Sequence, residues 1–426
     1  MKKSFVALAL IIHLLVSMNC YANIELSSDA AILIDADSGI VLYEKNSNEK
    51  MFPASTTKIM TAILTIENAD LDSVATTSFN AVNSIDYDSS KLFLSENEKI
   101  SVRDLLYGLL IASANDAANV LAEHISGSTK EFANLMNKRA GELGAEKTNY
   151  VNAHGLHDEN HYTTAADLAK IAKHAMSLPL FREIVSLSEY TLEPTNVFDK
   201  ERPLTSTNHL INPKSQYYCK YASGIKTGYT TNAGCCLVSY GSSDGINVIS
   251  VVLGAKNSED GKVMSFVDSK KNIEYGLLTL DTRTLVNEGD VISSVPIKKS
   301  FMDEAILEAQ STVKAHLPEG VSVTDLEKKE YILANITAPV SEGDILGRME
   351  YWYGEYKVGE TYMVAIEEIK KVPLAFFLNP IKTIFGSPLP YLLIGLITAV
   401  MIVRKIGNNS RRKNKKSTGS YRRKEV

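Results

Sequence analysis

Residues 223–255 read SGIKTGYTTNAGCCLVSYGSSDGINVISVVLGA, and this stretch decides the fold. It separates into three runs, SGIKTGYT, GCCLVSYG and INVISVVLGA, each short and rich in residues that favour strands. Ser242-Ser243-Asp244-Gly245 between the last two is a hairpin turn, since Asp and Gly tolerate the backbone of a tight reversal. Far upstream, 30–46 read AAILIDADSGIVLYEKN, two apolar runs around Asp37-Ser38-Gly39 and so a second hairpin. The intervening sequence is helical in pattern. PASTTKIMTAILTIENA has apolar periodicity from about Ser55, and Ser101-Val102-Arg103-Asp104 is a capping-box pattern opening DLLYGLLIA. NDAANVLAEHI follows Ser113 almost at once, and Lys130–Leu143 and Thr164–Ser177 read as further helices. Strands at both ends of a segment with helices between them predict an α/β (α+β) domain over 23–280: one antiparallel sheet flanked by helices, its first and last strands meeting.

Beyond it, 284–368 alternates apolar and polar residues around turns at Glu288-Gly289, Glu342-Gly343-Asp344 and Gly359-Glu360. This predicts a small β-rich domain over 281–370 with no constellation to which chemistry attaches, and hence a spacer or docking role. A length of 426 residues accommodates such a division, at about 100–200 residues per domain. With 45% hydrophobic and 22% charged residues, the chain has the makeup of a globular protein rather than a disordered one.

The ends set the compartment. Residues 1–22 carry Lys2-Lys3, an apolar core from Phe5 to Val16, and Cys20-Tyr21-Ala22, the pattern of a signal peptide cut before Asn23. The core is shorter than the roughly 20 residues a span needs. Near the other end, 384–403 (IFGSPLPYLLIGLITAVMIV) is uncharged and long enough for a transmembrane helix, preceded by a juxtamembrane segment, 371–383. Pro388 and Pro390 also allow a bent or interfacial helix. Arg404-Lys405 and the run RRKNKK at 411–416 mark 404–426 as a basic cytoplasmic tail, which leaves the body of the protein exported at the cell membrane. The tail holds ten Lys or Arg against one Glu, and with Lys2-Lys3 set aside the whole-chain −5 becomes about −16 for 23–403. So acidic a body argues against nucleic acid as a partner, which needs a basic surface. The tail can meet anionic membrane lipid. After signal removal Cys219, Cys235 and Cys236 remain. The adjacent pair would bridge only with strain, so buried thiols are expected, with a bridge from Cys219 as the alternative.

Three short motifs carry the chemistry. Ser55-Thr56-Thr57-Lys58 lies at a helix start, where residues three apart share a face and Lys58 can stand beside the Ser55 hydroxyl as its base. For that, the amine must lose its proton near neutrality, through burial or a second cation. Ser113-Ala114-Asn115 lies in the turn between two helices, where a hydroxyl and a carboxamide can relay a proton and orient an amide. Lys226-Thr227-Gly228 lies on a strand: Lys226 depresses Lys58 and attracts an anion, Thr227 bonds a carboxylate, and Gly228 admits substrate backbone. Singly these read as a helix N-cap, a loop and a surface strand. In this order, on these elements, they are very improbable by accident.

The trio is the signature of the penicilloyl serine transferases. With FPASTTKIMTA, LLYGLLIASANDAANVLAEHI, YVNAHGLHDENHYTTAADLA and the 224–255 segment, the chain resembles the low-molecular-mass D-alanyl-D-alanine carboxypeptidases, over roughly 24–370. The resemblance implies a β-lactamase/transpeptidase-like fold, a peptidoglycan stem peptide ending in D-Ala-D-Ala as substrate, and β-lactam antibiotics as inhibitors, with no metal or cofactor. It further implies Ser55 as nucleophile, Lys58 as base and Ser113 as proton relay. Asn115 would hold the substrate amide, Lys226 and Thr227 the carboxylate, and the backbone N–H groups of Ser55 and Tyr229 the oxyanion. Many members carry an Arg where Ser265 stands here, so Lys262 is expected to compensate. Rival readings are weaker. A class A β-lactamase needs an E-x-x-x-N pattern between the last two motifs, and none occurs between Ser113 and Lys226. His154, His157 and His161 with Asp158 suggest a metal site, yet neither H-E-x-x-H nor H-x-x-E-H is present and a polar loop is expected. A scaffold without turnover would not need both Ser55 and Lys58.

Overall fold

The computed structural model describes residues 24–373 and 386–417; the expected signal peptide lies outside them. The N-terminal hairpin consists of β1 (Ala30–Asp35) and β2 (Val41–Lys45). Its turn is closed by Asp35, whose carboxylate accepts from the Ser38 N–H at 2.7 Å and from the Ser38 hydroxyl. A 3-10 turn, Ala54–Thr57, leads into α1 (Lys58–Asn68), so Ser55 stands on the turn and the α-helix proper begins at Lys58. There follow β3 (Val74–Thr76), α2 (Phe79–Asn83), β4 (Lys99–Ser101), α3 (Val102–Ile111), α4 (Asn115–Ser126), α5 (Thr129–Glu142), α6 (Ala165–Ser177), α7 (Pro179–Val185), β5 (Glu189–Leu192) and β6 (Arg202–Thr205). The strand that carries Lys226-Thr227-Gly228 is β7 (Ala222–Thr230), followed by β8 (Gly234–Ser243), β9 (Ile246–Ala255) and α8 (Met264–Thr279).

Helix starts follow from their sequences. Ser101, Ser128 and Thr164 each accept, on the side-chain oxygen, the N–H three residues on. The capping-box expectation at Ser101 is met only in part. The Asp104 carboxylate accepts from the Ser101 hydroxyl at 2.7 Å, and Asp104 supplies the N–H that the hydroxyl oxygen receives.

The main sheet runs β2-β1-β9-β8-β7, antiparallel throughout. β1 pairs with β9, Ala30 opposite Leu253 and Asp35 opposite Val248, so the first strand of the domain lies against the last. Side chains alternate across a strand. Ile32 and Ile34 accordingly join Ile249, Val251 and the apolar faces of α1, α3, α4 and α6 in the larger core, while Leu33 joins Leu237, Val248, Phe266 and Ile273 under α8. Helices therefore cover both faces. α1 is buried along its first eight residues, from Lys58 to Thr65, which places it at the centre of the larger core.

Two compact units are present. The first runs through Leu285 and also takes in Val313–Lys329 and Glu350–Glu360; the second comprises Val286–Thr312, Glu330–Met349 and the chain from Thr361 on. After α8 the regular elements to Ala365 are strands, β10 (Leu280–Val286), β11 (Val291–Pro296), β12 (Glu304–Ala309), β13 (Val313–Pro318), β14 (Glu327–Ile332), β15 (Ile345–Tyr353) and β16 (Tyr356–Ala365), with one 3-10 turn at Val323–Asp325. They form a five-stranded sheet, β11-β12-β16-β15-β14, and a separate β10-β13 pair. This is the β-rich domain the sequence predicts.

The last element is α9 (Leu389–Ser417). It starts five residues later than expected and continues through the first half of the basic segment. Pro390 sits at its second position, where no intrahelical N–H is required. Lys and Arg are good helix formers and complement the negative end of the helix dipole, so the helix does not stop where the charges begin.

Candidate active site

Ser55, Lys58, Ser113, Asn115 and the strand β7 meet at one cavity of about 570 Å³, to whose wall Ser55, Ser113, Asn115, Thr227, Gly228 and Tyr229 all contribute. Lys58 lies beneath it, fully buried, and makes three hydrogen bonds through Nζ: to Ser55 Oγ at 2.9 Å, Asn115 Oδ1 at 2.6 Å and the His154 carbonyl at 2.7 Å. Two of these partners are obligatory acceptors. A neutral amine gives its two hydrogens to Asn115 and His154 and keeps its lone pair for the Ser55 O–H. Burial, and then the charge of Lys226, hold the Lys58 amine well below the usual lysine range, against the opposing pull of Asp116.

Ser113 is held at φ 61° between α3 and α4, a left-handed conformation that non-glycine residues rarely adopt. Asn115 opens α4, and its N–H donates to the Ser90 carbonyl at 2.9 Å. The next residue, Asp116, is buried and accepts the N–H groups of Leu92 at 3.0 Å and Leu94 at 3.1 Å, which pins the preceding loop beside the cavity.

On β7, Lys226 is buried and burial pushes it down to about 7; its ammonium donates to the Thr227 carbonyl at 3.0 Å. The Thr227 hydroxyl pairs with that of Thr207 at 2.6 Å. Gly228 is the close approach: a Cβ there would stand 2.9 Å from the Ser55 nitrogen and 3.1 Å from the Pro53 carbonyl oxygen. Tyr229 is mostly exposed at the mouth.

The histidine-rich loop has separate tasks. His161 Nδ1 accepts the Val151 N–H at 3.0 Å, so Nε2 carries the hydrogen and donates to Thr57 at 2.8 Å. His154 Nδ1 accepts the Leu156 N–H at 3.1 Å. Burial lowers His154 to about 3 and His161 to about 4, so both rings are neutral at physiological pH. His157 faces Glu159 at 3.2 Å on the surface. Gly155 (φ 88°) sits so tightly that a Cβ would fall 1.8 Å from the Ala54 carbonyl oxygen.

One expectation needs correction. Lys262 does not stand in for the missing arginine: its ammonium is paired with Asp260 at 2.6 Å and it is not part of the cavity wall, whereas the buried Ser265 is. The cysteines are the thiols expected, Cys219 and Cys236 buried and Cys235 half-buried, and the alternative Cys219 bridge is not formed. All three cysteines are free, Cys235 hydrogen-bonding Asn257 at 3.5 Å and Cys236 the Phe52 carbonyl at 3.6 Å. Sequence reasoning missed the His154 carbonyl, Gly155, Thr207 and Asp116. Of these only Gly155 carries a visible signal, a glycine directly after the histidine whose carbonyl the lysine needs.

Comparison with known proteins decides the family. The profile described as D-alanyl-D-alanine carboxypeptidase matches residues 17–257, more than half of the chain. This chain belongs to the D-alanyl-D-alanine carboxypeptidase family. It is thereby a serine hydrolase of the penicillin-binding class. Residues 280–371 match a second profile, the C-terminal domain of penicillin-binding protein 5. The chain is 33% identical to the D-alanyl-D-alanine carboxypeptidase DacF of Bacillus subtilis over 363 residues, covering 83% of this chain and 90% of that one. It is 30% identical to DacC of Escherichia coli, covering 80% and 84%. Among solved structures, penicillin-binding protein 5 from Haemophilus influenzae aligns with a TM-score of 0.63 at 28% identity, over 82% of this chain and 99% of that one. PBP3 of Streptococcus pneumoniae, described as a peptidoglycan synthesis regulatory factor, aligns with a TM-score of 0.70 at 25% identity over 82% and 100%.

Proposed function

We propose that this enzyme removes the terminal D-alanine from peptidoglycan stem peptides through an acyl-enzyme on Ser55. The observation that supports this reading most directly is the Lys58 amine 2.9 Å from Ser55 Oγ, buried and beside a second lysine. The Ser55 O–H proton passes to Lys58 as Oγ attacks the carbonyl of the penultimate D-alanine. The N–H groups of Ser55 and Tyr229 receive the oxyanion, a stabilisation usually worth about 3–4 kcal/mol per donor. Ser113 carries the proton from Lys58 to the departing amine, the C–N bond breaks, and free D-alanine leaves. Water then attacks the ester, returning the proton to Ser55. Asn115 uses its oxygen to hold Lys58, which leaves its amide N–H groups for the substrate carbonyl. Thr227 on the cavity wall binds the terminal carboxylate, with the charge of Lys226 buried behind it, and a β-lactam occupies the same place.

Residues 23–280 form the catalytic domain and 281–370 the second domain in this reading. The signal peptide 1–22 is removed, 384–403 crosses the cell membrane and 404–426 remains in the cytoplasm. Within α9, Leu389–Asn408 has a mean hydropathy of 1.8 and is unburied, which favours a lipid-facing helix. Twenty-nine helical residues extend about 43 Å, past the roughly 30 Å of hydrocarbon, so the basic end emerges into water.

Intact mass after brief exposure of the protein to penicillin tests the chemistry. One slowly decaying adduct on Ser55 is expected. An adduct elsewhere, or none, overturns the assignment of the nucleophile. Release from membranes on removal of 384–426 tests the anchor.

A further inference from the structure

The cavity wall contains neither Lys nor Arg, and its one acidic residue is Asp88, exposed at the rim. No ion pair engages the Asp88 carboxylate among the described residues. It sits in a loop that the catalytic residues themselves hold: Ser90 accepts from Asn115, and Asp116 clamps Leu92 and Leu94. Between those two clamped positions, Phe93 is forced to φ 57°, strained for a bulky residue, and its ring is turned outward, 64% exposed. Tyr87 is 85% exposed, with its ring centroid 6.4 Å from that of Phe93. Lys91 faces both rings at 5.3 and 5.8 Å and donates to the Ile85 carbonyl at 3.4 Å. With Asp86 and Asp88 against Lys91, the rim is net negative. A carboxylate on the cavity wall, in the same loop as two exposed aromatic rings that already face an ammonium, suits a flexible alkylammonium chain.

We propose that Asp88, with Tyr87 and Phe93, forms a rim subsite for the side-chain ammonium of the diamino acid that precedes D-Ala-D-Ala in the stem peptide. This deepens the reading above and rests on it. The dipeptide lies against β7, the preceding residue extends towards the 85–95 loop, its amine pairs with Asp88, and its methylenes cover the rings.

Two peptides test it, Nα-acetyl-L-Lys-D-Ala-D-Ala with the side-chain amine free or acetylated, offered to the full-length protein and to Asp88→Asn. Labelling by a fluorescent penicillin reports that each protein is folded. An exposed charge pair predicts that the wild type favours the free amine in kcat/KM by about two- to fivefold, and that Asp88→Asn brings the ratio close to one. A wild-type ratio close to one, or a preference that survives in Asp88→Asn, overturns the subsite. If the wild type reacts with penicillin but hydrolyses neither peptide, the carboxypeptidase reading itself fails and the subsite falls with it.

Discussion

Gly228 and the Ser55 nitrogen are so close that a methyl group on Gly228 would reach to 2.9 Å of that nitrogen. The strand proposed to receive the substrate is thus pressed against the turn that carries the proposed nucleophile, and the space for a carbonyl oxygen is defined by two backbones. Gly228→Ala is expected to fold, because the strand conformation admits alanine, but to lose penicillin acylation by about 100-fold or more as the Ser55 N–H is displaced. Acylation within threefold of wild type would show that this N–H is not used.

Lys58→Arg keeps a cation in place but cannot surrender its proton, so acylation should fall by about 1,000-fold or more while the fold survives. Stopped-flow acylation and a urea unfolding curve separate the two effects. Retention of the rate would remove Lys58 from the role of base.

The pH profile carries its own sign. Lys58 must be neutral to accept the Ser55 proton, so acylation rises with pH on an acid limb set by Lys58. The charge of Lys226 is one cause of the depressed Lys58 value, so Lys226→Met should move that limb to higher pH as well as weaken binding. The two amines titrate as a pair, and the apparent values belong to both. A limb that stays in place would mean Lys226 acts on the substrate alone.

Stability follows the opposite end of the same linkage. Lys226 is lowered from 10.5 in the unfolded chain to about 7 in the folded one. Between those values the unfolded state binds more protons, so its contribution to stability grows as pH rises from about 7 to 10.5 and is lost as pH falls through 7. Urea midpoints of wild type minus Lys226→Met across pH 6–9 should slope upward, by on the order of a few kcal/mol in all. A flat difference would mean the buried amine is neutral throughout or solvated.

Gly155→Ala is expected to destabilise by about 2–4 kcal/mol and to slow acylation, since positive φ and the Ala54 carbonyl both exclude a Cβ and the neighbouring His154 carbonyl is a partner of Lys58. A thermal melt and an acylation rate check both. A stable, fast variant would show that this loop yields freely.

Much of this was legible beforehand, for identifiable reasons. The hairpins at Asp37–Gly39 and Ser242–Gly245 announce themselves through turn residues, and the helix after Ser101 through its capping pattern. The three motifs give the side chains of the site because serine, lysine and asparagine carry their chemistry with them. What remained hidden acts through backbone or at a distance. The His154 carbonyl has no side-chain mark, Asp116 looks like any acid in the first turn of a helix, and Thr207 meets Thr227 only after folding. Lys262 looked like a substitute cation because sequence shows proximity along the chain and not that Asp260 has already taken the charge.

The pairing of β1 with β9 sets an order in time. Ser55 is made early, but the sheet edge that completes its pocket is near residue 228, and the strand that closes the sheet against β1 ends at Ala255. An emerging chain therefore holds Ser55 without a finished neighbourhood until more than half of it has been synthesised. Hydrolytic power arrives all at once, and truncated products ending before β9 are born inert.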